Sequence, residues 1–161
     1  MHIPRTEAFN PKALKNNFTL VLDGVQDPGN LGTIIRTADW FGFKNIVCSL
    51  NTVEIYNPKT IQATMGSLCR VNVFYQDLPD LLNSVEVPIF GALLEGKNSY
   101  TIDWGKEGLL ILGNEGKGIS AEVLKFIKNP VTIPRIGSAE SLNVAISAGI
   151  LCSEISRIIN K

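Results

Sequence analysis

Three short segments of this 161-residue chain carry side chains that could do chemistry: Asn30-Leu31-Gly32-Thr33-Ile34-Ile35-Arg36, Gly113-Asn114-Glu115-Gly116 and Ser141-Leu142-Asn143-Val144. Each places polar or glycine residues where a strand should end. Open α/β sheets bind ligands outside the carboxyl ends of their strands, so loops far apart in sequence can line one crevice. The three are therefore expected to meet, with Asn30, Arg36, Glu115, Ser141 and Asn143 as the candidate side chains. An arginine at such a place can clamp a phosphate through two parallel hydrogen bonds. Its plain alternative is a surface arginine beside a helix-capping asparagine. Ser141 likewise reads as an ordinary helix N-cap. Asn143, expected just inside the same helix, is a mediocre helix former and needs another reason to be there.

The glycine-rich segment continues as Gly113-Asn114-Glu115-Gly116-Lys117-Gly118, between the apolar run Leu109-Leu110-Ile111-Leu112 and an expected helix. Loops in that context often cradle ligands. The spacing matches neither common nucleotide loop, because G-x-G-x-x-G is absent and the phosphate-binding loop needs a lysine where Ile119 stands. Glu115 would moreover repel a pyrophosphate. A carboxylate beside open backbone donors suits a neutral or cationic ligand, and the alternative is a tight turn with a solvated glutamate.

Several chemistries drop out. His2 is the only histidine and lies at the terminus, which removes serine–histidine, cysteine–histidine and histidine-based zinc sites. Cys48, Cys69 and Cys152 are odd in number, lack C-x-x-C spacing and sit among apolar neighbours, so they read as buried thiols of a reducing cytoplasm, with no metal. No apolar run approaches the roughly 20 residues of a membrane helix, and no secretory signal is present. The formal net charge is zero, so any grip on nucleic acid must be local. Arg5, Lys12, Lys15, Arg36, Arg70 and Arg135 are its candidate sources.

The elements that must position these groups alternate. Strands are expected at 18–22, 44–50, 71–75, 88–94, 109–112 and 131–133, the first as an apolar run of the kind buried on both faces of a parallel sheet. Helices are expected after Asn30 as N-cap, over 58–68 behind the Asn57-Pro58 cap, over 78–85, over 120–128 behind Ser120, and over 142–159. In the last, Val144, Ile146, Ile150, Leu151, Ile155 and Ile158 form a wide apolar stripe, and Ala145, Ser147, Ala148 and Gly149 admit a second backbone. That surface suits internal packing or a subunit interface. The pattern is that of an α/β fold, a parallel-sheet α/β/α sandwich.

Taken together, the motifs N-L-G-x-x-x-R at 30–36, L-G-N-E-G at 112–116 and S-L-N-V at 141–144 resemble the SpoU (TrmH) family of RNA ribose 2′-O-methyltransferases, within the SPOUT superfamily. The resemblance runs from about residue 18 to the end. It implies transfer of a methyl group from S-adenosylmethionine to a ribose 2′-hydroxyl in structured RNA, with rRNA favoured over tRNA. It also implies a C-terminal trefoil knot, against the general rule that knots are essentially absent, and a homodimer with the site near its interface. Backbone groups around Leu93, Gly113, Asn114, Gly116, Ile133, Ser141 and Leu142 would hold the cofactor. Arg36 would act on the hydroxyl, as a clamp joining it to a substrate phosphate more readily than as a base. Asn30, Ser141 and Asn143 would position Arg36 and the ribose, and Glu115 would anchor the site by hydrogen bonds or by pairing with Arg36.

Residues 18–161 would then be the catalytic domain and 1–17 an N-terminal extension, read as the remnant of an absent RNA-binding domain. The chain is either a minimal enzyme or a piece of a longer one, and the piece is favoured. The competing function is a non-catalytic RNA-binding or assembly module with the same fold. A nucleotide-dependent dehydrogenase or kinase is disfavoured, since neither phosphate loop is spelled correctly.

Overall fold

The computed structural model describes residues 7–161; His2 and Arg5 lie outside them. The chain runs β1 (Phe18–Asp23), α1 (Pro28–Phe41), β2 (Asn45–Cys48), α2 (Pro58–Thr64), β3 (Asn72–Tyr75), α3 (Leu78–Ser84), β4 (Ile89–Asn98), β5 (Gly108–Gly113), α4 (Ala121–Leu124), β6 (Asn129–Thr132) and α5 (Val144–Ile159). The strands form one parallel sheet in the order β3-β2-β1-β5-β4-β6. Every residue of β1 is buried, as its unbroken apolar run requires of a central strand covered on both faces. Strand order reverses between β1 and β5, whose register sets Asp23 opposite Gly113. The loops leaving these two strands therefore start side by side at the carboxyl edge, where such sheets open a crevice.

Two apolar clusters sandwich the sheet. On one face Leu31, Ile34, Ile35 and Ala38 of α1 and Val144, Ala148, Leu151 and Ile155 of α5 cover Leu20, Leu22, Leu110 and Leu112. On the other, Leu78, Leu81 and Leu82 of α3 and Val123 of α4 cover Val21, Val47, Leu109 and Ile111. Each such side chain contributes roughly 1.5–3 kcal/mol by leaving water. Phe9 and Leu14 belong to this second cluster, and Phe9 meets the Phe74 ring edge-on at 5.4 Å. Phe9 and Leu14 thus reach the core from the segment before β1, while Asn10, Pro11 and Lys12 between them are exposed. Helix α2 lies against α1 because position 32 is glycine: a Cβ there would sit 2.5 Å from the Ala63 Cβ and 2.6 Å from the Thr60 carbonyl oxygen.

Several local expectations are corrected. Asn30 is not the cap of α1. Asp27 is, accepting from the Asn30 backbone N–H at 2.8 Å with Pro28 at the first helical position, so the Pro28-Gly29 pair that reads as a break opens the helix. In α5 the cap is Asn143, not Ser141; its Oδ1 accepts from the N–H groups of Ala145 and Ile146. Helix α2 stops at Thr64, short of 68, because Met65 and Gly66 are both left-handed, with φ of 49° and 86°. Helix α4 covers only 121–124, and the chain continues in tight turns from Phe126 to Val123 and from Ile127 to Leu124. Strand β4 extends to Asn98, pairing with β6 across an irregularity between Ala92 and Lys97. Cys48 and Cys152 are buried free thiols, raised in pKa by burial, whereas Cys69 is exposed because its short 3-10 turn directs Leu68 at the core instead.

The apolar stripe of α5 is also divided. Val144, Leu151 and Ile155 are buried and Ile158 packs against the core, but Ile146 is 54% exposed and Ile150 half-buried on the far side of the helix. Among the described residues no helix is long and apolar enough to cross a membrane.

Candidate active site

A cleft of about 900 Å³ opens at the carboxyl edge, between the ends of β4, β5 and β6 and the start of α5. Its walls include Leu93, Gly113, Asn114, Gly116, Ile133, Ser141 and Leu142, and its lip carries Asn30, Glu115 and Asn143. The loop after β5 is folded back by paired backbone bonds between Asn114 and Gly118, of 3.0 and 2.9 Å. Only glycine fits at 113, since a Cβ would lie 2.3 Å from the Gly118 carbonyl carbon. Asn114 adds rigidity: its Oδ1 accepts from the N–H groups of Gly116 and Lys117, both at 2.9 Å, and its Nδ2 donates to the Gly24 carbonyl at 2.7 Å.

Glu115 reaches across to the loop before α1. Its carboxylate accepts from the backbone N–H of Asp27 at 3.0 Å, from that of Gln26 at 3.1 Å and from the Asn30 Nδ2 at 3.3 Å. Partial burial raises its pKa, but the backbone N–H groups of Asp27 and Gln26 and the Asn30 amide outweigh that, leaving it below the ordinary glutamate value. Asn30 in turn accepts at Oδ1 from the Asn143 Nδ2 at 3.2 Å. The polarity of this chain follows from its ends. A carboxylate only accepts, so Asn30 must turn its amino group to Glu115; the helix N–H groups only donate, so Asn143 must turn its oxygen to α5. Each amide has one orientation left, and α1, α5 and the β5 loop are cross-linked by it.

Three of the five candidate side chains, Asn30, Glu115 and Asn143, are thus joined directly. Ser141 lines the cleft, exposed, with no side-chain hydrogen bond among the described residues. Arg36 stands apart. It lies about 9 Å along α1 and about 240° around it from Asn30, exposed, and makes no hydrogen bond or ion pair among the described residues. Of the two anchoring modes expected for Glu115, the structure has hydrogen bonds and not a pairing with Arg36, because backbone donors and Asn30 occupy the carboxylate. Two groups were missed in the sequence: the N–H donors of Gln26 and Asp27. The Asp27-Pro28 pair, a capping residue before a proline, was the available signal.

Of the other candidate cations, Arg70 is held by Asp39 at 2.7 Å and Arg135 donates to the Ala139 carbonyl at 3.1 Å, while Lys12 and Lys15 are exposed. Among the described residues no group of histidine, cysteine, aspartate and glutamate could hold a metal ion.

The cleft has the size of a small-molecule site, which runs from about 300 to 1,000 Å³. Its leucine and isoleucine walls suit a flat heterocycle. At the start of α1 the N–H groups of Gln26 and Asp27 are taken by Glu115 and that of Asn30 by Asp27, which leaves few donors there for a phosphate. Glu115 and Glu140 at its edge are matched by Lys117 and Arg135, so the cleft carries both signs of charge beside its apolar walls.

Fold and cleft together define a parallel α/β domain with a cleft at the carboxyl ends of β4, β5 and β6. The SpoU rRNA Methylase family profile matches residues 17–153, and the chain belongs to that family. It is 40% identical over 136 residues to the Bacillus subtilis 23S rRNA (guanosine(2553)-2′-O)-methyltransferase RlmP, covering 82% of this chain and 55% of that protein. A TrmH-family chain from Porphyromonas gingivalis superposes with a TM-score of 0.84 at 45% identity, over 88% of this chain and 60% of the other. An AdoMet-bound rRNA methyltransferase from Sinorhizobium meliloti gives 0.84 at 35% identity, over 89% and 57%. The chain therefore spans about half the length of the curated relatives it matches best among these.

Proposed function

We propose that this chain is the catalytic unit of an RNA ribose 2′-O-methyltransferase that uses S-adenosylmethionine and acts on rRNA. The observation that carries the reading is the Asn143–Asn30–Glu115 chain of hydrogen bonds on the lip of an apolar-walled cleft at the carboxyl edge of the sheet. The relatives named as 23S rRNA 2′-O-methyltransferases, and the AdoMet-bound neighbour, support the substrate and the cofactor. The cofactor supplies an electrophilic methyl group on a sulfonium. Leu93, Gly113, Asn114, Gly116, Ile133, Ser141 and Leu142 hold it, chiefly through backbone groups and apolar contact. Asn30 and Asn143 set the height and tilt of the start of α1 and α5, between which the ribose enters. Arg36, a permanent cation, is outside this cleft on the face proposed below for a second copy, and from there it would clamp a substrate phosphate and polarise the 2′-hydroxyl at a cleft which that face adjoins in the dimer.

The test is transfer of labelled methyl from S-adenosylmethionine to rRNA and tRNA from cells lacking the gene, with the product mapped by its resistance to alkaline cleavage. Label at a ribose in rRNA is expected. Cofactor binding by calorimetry with no label in either RNA would replace the reading by the non-catalytic module.

We infer a homodimer seated on the outer faces of α1 and α5. Thr33, Arg36 and Trp40 recur on one side of α1, Trp40 is 83% exposed, and Ile146 adds apolar surface on α5. Light scattering at twice the chain mass is expected; a monomer at micromolar concentration refutes it. We infer also that the segment after β6, which must cross the carboxyl edge to bring Asn143 to Asn30, is threaded as a trefoil knot. A crystallographic trace with an open path there would overturn that. Two buried free thiols support a cytoplasmic location, which cell fractionation tests.

A further inference from the structure

The loop between β1 and α1 presents the N–H groups of Gln26 and Asp27 to Glu115, yet neither Glu115 nor Asn30 determines where that loop begins. Its first residue, Gly24, is pinned through both of its backbone polar groups. The Gly24 carbonyl accepts from the Asn114 Nδ2 at 2.7 Å, on the β5 side. The Gly24 N–H donates to the Ser49 Oγ at 2.8 Å, on the β2 side.

Ser49 follows β2 directly and is one of few buried polar residues, 8% exposed. It does not line the cleft. Its Oγ lies 2.6 Å from the Asn51 Oδ1, to which it donates, and 2.9 Å from the Thr52 Oγ1. With its one proton spent on Asn51, the Ser49 oxygen accepts from Gly24 and, when Thr52 turns its single proton to it and away from the Leu22 carbonyl at 3.3 Å, from Thr52, which fills the full capacity of a hydroxyl. Gln26 closes the circuit, its Nε2 donating to the carbonyls of Gly24 and Asn51. A buried hydroxyl saturated in this way holds its partners in one geometry, and its loss strands a buried N–H.

We propose that Ser49 is a positioning residue for methyl transfer: through Gly24 it holds the loop that sets Glu115 and the first turn of α1, without touching substrate or cofactor. This rests on the methyltransferase reading above, and deepens it by extending the active unit to the β2 loop. Misplacement of reacting groups by about 1 Å lowers turnover by up to about 10²-fold, and removal of one restraint among several is expected to act at a smaller scale.

In Ser49→Ala the backbone bond from the Ser49 N–H to the Leu22 carbonyl, 2.9 Å, survives and keeps the strand end in place. Turnover is expected to fall about tenfold while the calorimetric Kd for S-adenosylmethionine changes less than about twofold, and Ser49→Thr, which retains the hydroxyl, to recover most of the loss. Hydrogen exchange supplies a readout independent of activity: the amides of Gly24, Gln26 and Asp27 should exchange about tenfold faster in Ser49→Ala, with those of Ala145 and Ile146 unchanged. Should Ser49→Ala not fold, Thr52→Val removes one bond to the same oxygen and is expected to show the pattern at about a third of its size. Wild-type turnover with wild-type exchange overturns the proposal. So does a uniform rise in exchange with parallel loss of cofactor binding, the mark of a merely structural serine. If the wild-type chain transfers no methyl group, the exchange pattern still decides whether Ser49 holds the loop, while the methyltransferase reading falls separately.

Discussion

Helix α1 has two working faces, and they are finished to different degrees. At its first turn the polar side chains are engaged: Asp27 caps, Glu115 gathers the preceding N–H groups, and Asn30 is held at both ends of its amide. Two turns further on, Arg36 and Trp40 stand in solvent with no partner among the described residues. The first face is complete within one chain. The second offers a cation and a large aromatic surface to something outside it, which under the proposed function is RNA at Arg36 and a second copy at Trp40.

The strongest way to break this comparison is Arg36→Ala. Because Arg36 makes no hydrogen bond or ion pair among the described residues, stability and cofactor binding should be unchanged, while methyl transfer falls by about 10³-fold or more; calorimetry showing lost cofactor binding in a folded variant would contradict the separation. Glu115→Ala attacks the finished face, leaving the Gln26 and Asp27 N–H groups and the Asn30 amide without their acceptor. Turnover should drop about 10²-fold, and wild-type rates would show that the cross-link is ornamental.

Trp40→Ala probes the open face from the other side. Sedimentation should show the dimer Kd rising about 30-fold, as for a central aromatic anchor, and no change would move the interface elsewhere. Asn143 separates capping from cross-linking. Asn143→Ala loses both, lowering stability by about 1 kcal/mol, or Tm by about 3 °C. Asn143→Asp keeps the cap but sets a carboxylate against the Asn30 Oδ1, so Tm should stay near wild type while activity falls.

The smallest effect concerns pH. Glu115 is depressed in the folded state, so its carboxylate stabilises the native fold above its unfolded value, near pH 4.3, and that contribution disappears as pH falls through the lower folded value. The Tm gap between wild type and Glu115→Gln should therefore be constant near neutrality and close in acid. A gap that widens in acid would mean the sign is wrong.

Much of the candidate site was legible because its parts sit at strand ends, and strand ends are marked by apolar runs giving way to glycine and amide residues. Leu109-Leu110-Ile111-Leu112 before Gly113 is such a place, and so is the end of β1 before Gly24. What misled was local chemistry with two valid outcomes. Asn30 and Ser141 are good caps, and nothing in one dimension says that Asp27 and Asn143 take those roles. The choice depends on whether Asn30 is wanted by Glu115 and Asn143 by Asn30, contacts spanning 85 and 113 residues. Likewise Ile146 joins an apolar stripe by type, while its exposure depends on where α1 meets α5.

By itself the sequence determined the alternation of strands and helices, the burial of β1 on both faces, and the kinds of groups gathered at the carboxyl edge, since these follow from hydrophobic period and turn chemistry. Only the tertiary structure decided which donor met which acceptor, that Glu115 would serve backbone N–H groups instead of Arg36, and that a serine after β2 would hold the loop of β1. Hydrogen bonds act over about 3 Å, and that nearness is created by the packed sheet.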